Sequence, residues 1–171
     1  MLFIFGGLPG TGKSTIAREL GRRTGATYLR LDSVEQAIRS SGILPPTVGV
    51  GPAGYIAVYR LAADNLRLGQ SVIADTVNPV HATRTAFRNV AAETGARFME
   101  IEVFCSDAAV HRHRAETRGT DIEGHVPPTW KEIMDREVEP WSDPAVHLDT
   151  ARLPVAQSVE AILSAMADRL S

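Results

Sequence analysis

The strongest chemical signal in the sequence is a glycine-rich segment close to its beginning. Residues 7–14 read GLPGTGKS, which matches the pattern G-x-x-x-x-G-K-[ST] in full. Glycines let a backbone bend so that its N–H groups point at phosphate oxygens, and a following helix adds its positive N-terminal end. The segment therefore predicts a phosphate-binding loop for a nucleotide.

Two side chains of this loop predict the chemistry at the far end of the nucleotide. Lys13 supplies a mobile cation for the terminal phosphates, and the hydroxyl of Ser14 is a candidate ligand of Mg²⁺. The predicted nucleotide-binding residues of the loop are Gly7, Pro9, Gly10, Thr11, Gly12, Lys13, Ser14 and Thr15.

Two acidic residues, Asp32 and Asp75, follow predicted strands. Ligands of a parallel sheet bind at the carboxyl ends of its strands, so both carboxylates are expected beside the glycine loop. Asp32 is the candidate base that orients or deprotonates an acceptor hydroxyl, and Asp75 is a candidate ligand of Mg²⁺. The alternatives are that Asp32, with Glu35, or its neighbour Ser33 caps a helix, and that Asp75 only forms a turn.

Arginines supply candidate cations for a moving phosphoryl group. Arg114 and Arg118 are four residues apart and share one face of a predicted helix. Such residues stabilise charge on the equatorial oxygens during phosphoryl transfer, although a solvated basic helix is the alternative. Arg84 and Arg88 have the same spacing and are weaker candidates for contact with substrate or phosphate.

The rest of the chain favours transfer of the phosphate over its use in a switch or a motor. A GTP-dependent switch needs an Asn-Lys-x-Asp segment to read guanine, and the sequence contains none. The D-x-x-G spelling at residues 121–124 follows an arginine-rich helix and is interpreted as coincidence. A motor ATPase normally places a water-orienting Glu directly after the acidic residue that ends the magnesium strand. Thr76 stands at that position here.

Alternating apolar strands and amphipathic helices must position these residues, and they predict an α/β fold with a mainly parallel sheet. The glycine- and proline-rich residues 42–54 are predicted to be an irregular flap or connector. Strands are predicted at residues 2–5, 27–31, 71–74, 97–104 and 146–148, and helices at about 13–23, 32–42, 55–68, 78–94, 107–118, 129–138 and 155–170.

Length and composition limit the number of domains, the kinds of partner and the cellular location that are expected. A length of 171 residues favours one domain, and a net charge of −2 gives no global attraction to nucleic acid. The opening MLFIF is too short for a signal-peptide core, and Cys105 is the single cysteine, so a cytoplasmic protein without membrane contact is expected. Cys105 is interpreted as a buried structural thiol. No histidines have zinc spacing, and Trp130 and Trp141 are expected to pack near the base of a lid.

The motifs together resemble the small P-loop kinases, particularly the bacterial predicted-kinase group often labelled AAA family ATPase. Better-known relatives of that group are chloramphenicol phosphotransferase, the kinase domain of polynucleotide kinase, gluconate kinase and zeta toxin. The resemblance runs nearly from end to end. It rests on the segments GGLPGTGKST, LRLDSVEQAIR, SVIADTVNPVHATRTAFRNVA, CSDAAVHRHRAETRG and PPTWKEIMDREVEPW.

The resemblance implies a three-layer P-loop NTPase fold of the nucleoside-monophosphate-kinase type. Its five-stranded parallel sheet would carry helices on both faces and a helical lid at about residues 108–128, within a single domain over residues 1–171. It implies ATP as donor and Mg²⁺ as cofactor. It also implies that Arg114 and Arg118 are catalytic lid arginines, alongside Lys13 and Asp32.

The resemblance further implies where the two ligands would lie. The loop from Asp149 to Pro154 would lie against adenine, with Arg152 and Pro154 in contact with the nucleotide. Ser14 and Asp75 would hold the metal. The substrate-binding residues implied are Asp32, Arg39, Asp75 and Asn78.

The expected function is transfer of the γ-phosphoryl group of ATP to a hydroxyl of a small metabolite, nucleoside or antibiotic, by a monomer or homodimer. The acceptor signatures of gluconate kinase and shikimate kinase are absent, and residues 42–54 lie where acceptor specificity would be built. A polynucleotide 5′-hydroxyl kinase is the less favoured alternative. A zeta-toxin-like or regulatory nucleotide-binding protein with weak ATPase activity is the third.

Overall fold

The protein is described by a computed structural model that covers residues 1–45, 47–142 and 144–170. Its centre is a five-stranded sheet in the order β2-β3-β1-β4-β5, and every pair of neighbouring strands is parallel. The strands are β1 Leu2–Gly6, β2 Thr27–Arg30, β3 Val72–Asp75, β4 Phe98–Phe104 and β5 Val146–Asp149.

Helices connect the strands and cover both faces of the sheet. This arrangement follows from parallel pairing, because each strand must return to the same edge through a crossover. The helices are α1 Lys13–Thr24, α2 Leu31–Ser40, α3 Ala53–Arg67, α4 His81–Thr94, α5 Ala108–Thr117, α6 Trp130–Met134 and α7 Val155–Leu170.

The central strand β1 shows why the fold has three layers. Its residues are buried on both sides, and alternate side chains of a strand point to opposite faces. Phe3 and Phe5 pack in one apolar cluster with α1 and α7, whereas Leu2 and Ile4 pack in a second cluster with α3 and α4. The continuous apolar run at the start of the sequence is therefore shared between two cores.

Several element boundaries differ from those predicted. The prediction that α4 starts at Asn78-Pro79 is wrong, because the helix begins at His81 and Val80 is the extended residue before it. Asn78 has a φ of 48°, which takes it out of the helical region. Helix α6 is capped by Thr129 through a capping box with Glu132, as the sequence predicts for the cap, but it ends at Met134 instead of Val138.

Residues 42–54 were expected to be irregular, and the described residues from 41 to 52 contain neither helix nor strand. Pro46, in the middle of this stretch, lies outside the described residues. Helix α3 then begins at Ala53, two residues earlier than predicted. Among the described residues, none of the helices combines the length and the apolar character needed to cross a lipid bilayer.

Gly6 ends β1 directly beneath the indole ring of Trp141, and a Cβ at position 6 would overlap that ring. We expect Gly6→Ala to lower the free energy of unfolding by about 1–3 kcal/mol, because the overpacked ring must move. Gly119→Ala is the matched control, since a Cβ there meets nothing within 4 Å and the backbone is not left-handed. Urea denaturation measures both, and equal losses for the two variants would contradict the close packing of Trp141.

Candidate active site

A cavity of about 1150 Å³ lies at the carboxyl edge of the sheet. The glycine loop forms one wall, and the start of α2 with Asp32 forms another. Residues 117–119 and 125–128 of the predicted lid contribute to the wall, as do residues 150–155 after β5. The predicted phosphate, acceptor, lid and adenine regions therefore meet at one continuous space, as expected from the order of the parallel strands.

The glycine loop has a backbone that side chains would disturb. Gly7, Gly10 and Gly12 have φ values of 138°, 86° and 90°, which L-residues rarely adopt. A Cβ on Gly7 would overlap the carbonyl oxygen of Val103, and one on Gly10 would lie 3.1 Å from the Cα of Ala115. The loop is thus shaped by its own torsions and by close contact with β4 and α5, and it leads directly into α1.

Lys13 and Asp75 form a buried ion pair between the loop and the end of β3. The Tyr28 hydroxyl donates a hydrogen bond to the other oxygen of Asp75 at 2.6 Å. Burial raises the pKa of Asp75, but the Lys13 cation and the hydrogen bonds from Lys13, Tyr28 and Ser14 outweigh it and hold that pKa below its ordinary value. Asp75 is therefore an anion held in place beside the phosphate-binding loop.

The same contacts test whether Mg²⁺ fits. The side chain of Ser14 reaches the Asp75 carboxylate. A hydroxyl and a carboxylate oxygen at one point match the hard oxygen ligands that Mg²⁺ prefers, and nucleotide phosphates and water would supply the others. The described residues contain no cluster of three or more His, Cys, Asp or Glu side chains that could hold a metal alone. The donor set is that of a cation shared with a phosphate ligand.

Asp32 lies in the first turn of α2 and borders the cavity. The alternative in which Asp32 or Ser33 caps the helix is wrong, because α2 begins at Leu31 and Arg30 occupies the cap position without a side-chain cap. The Asp32 carboxylate lies 3.8 Å from Nε of Arg30 and stays partly exposed. It is therefore available to a ligand in the cavity.

Glu35, one turn beyond Asp32, is a cavity residue that sequence reasoning considered only as part of a capping box. A Cβ on Gly54 would lie 2.6 Å from Cγ of Glu35, so the start of α3 holds this side chain closely. Burial and the nearby Asp32 carboxylate raise the pKa of Glu35, against smaller lowering effects of Arg39 and Arg136. The signal that could have found it is the i, i+3 spacing, which puts residues 32 and 35 on one face of α2.

A raised pKa means that folded Glu35 holds its proton more tightly than the unfolded chain does, so stability falls as pH rises past the ordinary carboxyl pKa. We expect Glu35→Gln to be more stable than the parent protein at pH 7, with the difference shrinking towards pH 4. Urea denaturation at both values measures it. Glu137→Gln, at an exposed position, is the control. A Glu35→Gln protein that is less stable at pH 7 would contradict the burial of this carboxylate.

Arg118 is the residue after the end of α5 and borders the cavity. The prediction that it lies within this helix, on one face with Arg114, is wrong, because α5 ends at Thr117 and the backbone of Arg118 is extended. Its Nε is buried without a hydrogen-bond partner among the described residues. Desolvation lowers the pKa of Arg118, Asp32 opposes that effect, and Arg30 adds to it. Arg118 therefore lies close to both Asp32 and Arg30, and its Nε–H group remains available to donate a hydrogen bond.

Arg114 borders the same cavity but has its partners in the loop after β5. Its two terminal nitrogens donate to Oγ1 and the carbonyl oxygen of Thr150, at 3.0 and 3.2 Å. The Thr150 hydroxyl in turn donates to the carbonyl of Thr11 at 2.7 Å. Arg114 thus joins α5 to the loop after β5 and, through Thr150, to the glycine loop. Arg152 and Pro154 also line the cavity at this end.

Four arginine and asparagine candidates are not brought to the cavity. Arg39 is exposed on α2 outside the wall. Asn78 is fully buried and donates to the carbonyl of Phe5 at 2.7 Å. Arg84 is buried against the carbonyls of residues 139 and 140 and the ring of Trp141, and Arg88 pairs with Glu100. Asn78, Arg84 and Arg88 therefore make contacts within the protein, whereas Arg39 is exposed away from the cavity.

Residues 42–54, where acceptor specificity was expected, contribute nothing to the cavity wall within the part of the chain that the structure describes.

The tryptophans pack as expected: Trp130 meets His111 edge-on, and Trp141 covers Gly6. His111 contacts the carbonyl of Pro9 at 2.9 Å, a support of the glycine loop that the sequence did not reveal. Cys105 is partly exposed beside Arg114, so its interpretation as a buried thiol is wrong.

Comparison with known proteins gives a family and a fold. A family model described as an AAA domain matches residues 2–135. A relative from Mycobacterium tuberculosis, named "Uncharacterized protein Rv2004c", is 35% identical over 110 residues. That match covers 58% of this chain and 22% of the relative, so the chain spans about a fifth of the length of the curated relatives it matches.

Solved structures of low sequence identity share the fold. The Mycobacterium tuberculosis APS kinase CysC in complex with AMPPNP and APS has 17% identity and a TM-score of 0.69, covering 97% of this chain and 96% of that one. A Sinorhizobium meliloti gluconokinase has 18% identity and a TM-score of 0.65, covering 98% and 91%. Chaetomium thermophilum Kti12 in complex with ADP-AlF3 has 19% identity and a TM-score of 0.73, covering both chains in full. These likenesses confirm the predicted P-loop kinase fold.

Proposed function

The chain belongs to the AAA domain family, and from that premise we propose that it is an ATP-dependent phosphotransferase. It moves the γ-phosphoryl group of ATP to a hydroxyl of a small molecule. The proposal treats residues 1–171 as one kinase domain with a lid at about residues 108–128, acting in the cytoplasm as a monomer or homodimer.

One observation carries the proposal: one continuous cavity is lined by the glycine loop, by Asp32 and by Arg118. Its volume of about 1150 Å³ exceeds the roughly 300–1,000 Å³ that is usual for one small ligand. There is room for a donor and an acceptor in contact. Thr76, which is buried with its hydroxyl 3.5 Å from the carbonyl of Phe5, stands where a hydrolytic motor would need a Glu.

On the donor side, the backbone N–H groups of the glycine loop hold the phosphates. The Lys13 ammonium group gives up or shares its ion pair with Asp75 and binds the terminal phosphate. Ser14 and Asp75 would hold Mg²⁺, which supplies charge neutralisation between the phosphates when it is bound. Arg152 and Pro154 border the place of adenine, and the contacts of Arg114 with Thr150 fix that loop in position.

On the acceptor side, Asp32 accepts a hydrogen bond from the attacking hydroxyl and takes its proton. The acceptor oxygen bonds to the γ-phosphorus, the bond from that phosphorus to the bridging oxygen breaks, and ADP leaves with the electron pair. Lys13 and Arg118 face the charge that develops on the equatorial oxygens, which is where cations lower the barrier.

Two of the structurally similar proteins are named for small acceptors, an APS kinase and a gluconokinase, and this supports a small-molecule acceptor here. The test is incubation with ATP and Mg²⁺ against nucleosides, sugars, aminoglycosides, chloramphenicol and oligonucleotide ends, with mass spectrometry for the gain of one phosphate. Phosphorylation of a small alcohol supports the proposal. Phosphorylation of oligonucleotide ends alone, or slow ATP loss that no acceptor accelerates, would overturn it.

A further inference from the structure

An arginine that the sequence did not single out lies at the acceptor end of the cavity. Arg30, the last residue of β2, borders this space, and its side chain is only 15% exposed. It forms one short hydrogen bond, from a terminal nitrogen to Asp121 at 2.7 Å. Its Nε is buried without a hydrogen-bond partner among the described residues, although the Asp32 carboxylate lies 3.8 Å away.

A second unsatisfied guanidinium lies beside it. The Nε of Arg118 is also buried and unpartnered in the described part of the chain, and Arg118 is close enough to Arg30 to feel its charge. Two cations with buried free donors are unfavourable neighbours, because each lacks a hydrogen bond and each repels the other. A bound anion would relieve both costs, and guanidinium groups match the geometry of phosphate and carboxylate oxygens.

The lid carboxylate of Asp121 is a replaceable partner. It lies between two arginines, accepting from Arg30 at 2.7 Å and from Arg18 at 2.6 Å. Its own side chain is 55% exposed and that of Arg18 is 39% exposed, so water competes for this carboxylate although Arg30 is mostly buried. A ligand anion that enters the cavity can therefore exchange with Asp121, whereas the partly buried Arg30 stays in place.

We propose that the acceptor carries an anionic group, a phosphate, sulfate or carboxylate, which binds to Arg30 and Arg118 in exchange for the Asp121 carboxylate. This inference rests on the proposed function and names the class of its substrate. Asp32 is then left for the hydroxyl that receives the phosphoryl group, and Arg118 lies between that group and the anion. Arg30, whose Nε is 3.8 Å from the Asp32 carboxylate, acts as a specificity-determining residue for the anionic group.

The first test needs no turnover. The protein is saturated with Mg²⁺ and AMPPNP, so that the glycine loop is filled, and is then titrated with inorganic sulfate. The arginine Nε–Hε signals are followed by ¹⁵N NMR and assigned with Arg30→Lys and Arg118→Lys. We expect saturable shifts of Arg30 and Arg118 and none of Arg22, which is exposed on α1. Shifts no larger than those in sodium chloride of equal ionic strength would overturn the proposal.

Two variants sharpen the binding test. Asp121→Asn removes the competing charge and should tighten sulfate binding about fivefold, the effect of losing an exposed ion pair. Arg30→Gln should abolish the saturable shift of Arg118, while Arg22→Gln should leave it unchanged. Unchanged sulfate affinity in both Asp121→Asn and Arg30→Gln would overturn the assignment of this site.

The second test uses turnover with matched acceptors, such as sugars with and without a phosphate group. The phosphorylated member of each pair should have the lower KM, and Arg30→Gln should raise that KM about a hundredfold while the KM for ATP stays unchanged. A neutral acceptor that is used as well as its anionic partner would overturn the inference. Absence of transfer to any acceptor would count against the proposed function, and the sulfate titration would still decide whether the anion site exists.

Discussion

Replacing Lys13 with alanine should reduce phosphoryl transfer by about 10³-fold. The reason is that Lys13 is the cation at the end of the glycine loop, and the loss of one preorganised charge-stabilising donor costs about 10²–10³ in rate. The same change removes the cation that lowers the pKa of buried Asp75, so that pKa rises and the proposed Mg²⁺ ligand weakens as well. Steady-state transfer assays measure the loss.

Lys131→Ala is a matched control, because Lys131 is exposed on α6 and pairs only with Asp135 in the described structure. We expect its activity to equal that of the parent protein. The unfolding midpoint of both variants should be measured alongside activity, so that a fold defect is separated from a lost charge. A folded Lys13→Ala protein with more than a tenth of the parent activity would be incompatible with the proposed donor site.

Replacing Asp32 with asparagine should lower turnover by about 10²–10⁴-fold, the range in which positioned general bases contribute. Asparagine keeps the size of the side chain but cannot take the proton of the acceptor hydroxyl. The ion pair of Asp32 in the described structure is with Arg30 and not with the glycine loop, so the dissociation constant of ATP should stay within about twofold of the parent value, as expected for sites that share no partner. Turnover is measured with saturating acceptor, and ATP binding by calorimetry.

Asp64→Asn provides the control for that experiment, since Asp64 is an exposed acid on α3 that pairs with Arg67. It should change neither turnover nor ATP binding. If Asp32→Asn turns over at the parent rate, Asp32 is not the base. Weakened ATP binding in Asp32→Asn would instead place this carboxylate on the donor side of the cavity.

The sequence predicted the positions of those candidate site residues that follow from local pattern and strand order. The glycine loop is a continuous motif, and the two glycines that the pattern requires, Gly7 and Gly12, both have positive φ. Asp75 ends β3 and Asp32 lies just beyond β2, its neighbour in the parallel sheet, so their placement at one edge follows from topology alone. The strand–helix alternation likewise predicted the parallel sheet.

Residues defined by long-range contacts were not predictable in the same way. Tyr28 meets Asp75 across 47 positions of sequence, and Arg30 meets Asp121 across 91. Arg84 was a candidate for contact with substrate or phosphate because of its helical spacing, yet it is buried against backbone carbonyls 55 and 56 residues away. Which cation is buried and which faces a ligand depends on such packing, and neither composition nor periodicity predicts these long-range contacts.

The most direct test of the central claim is the fate of the γ-phosphoryl group in H₂¹⁸O. The protein is incubated in this solvent with ATP, Mg²⁺ and an acceptor identified in the panel, and the masses of the products are measured by mass spectrometry. We predict one ADP for each phosphorylated acceptor, with no ¹⁸O in the transferred group, because the acceptor hydroxyl supplies the new oxygen. Release of the γ-phosphoryl group only as inorganic phosphate carrying ¹⁸O, at a rate that no acceptor changes, would contradict phosphotransfer.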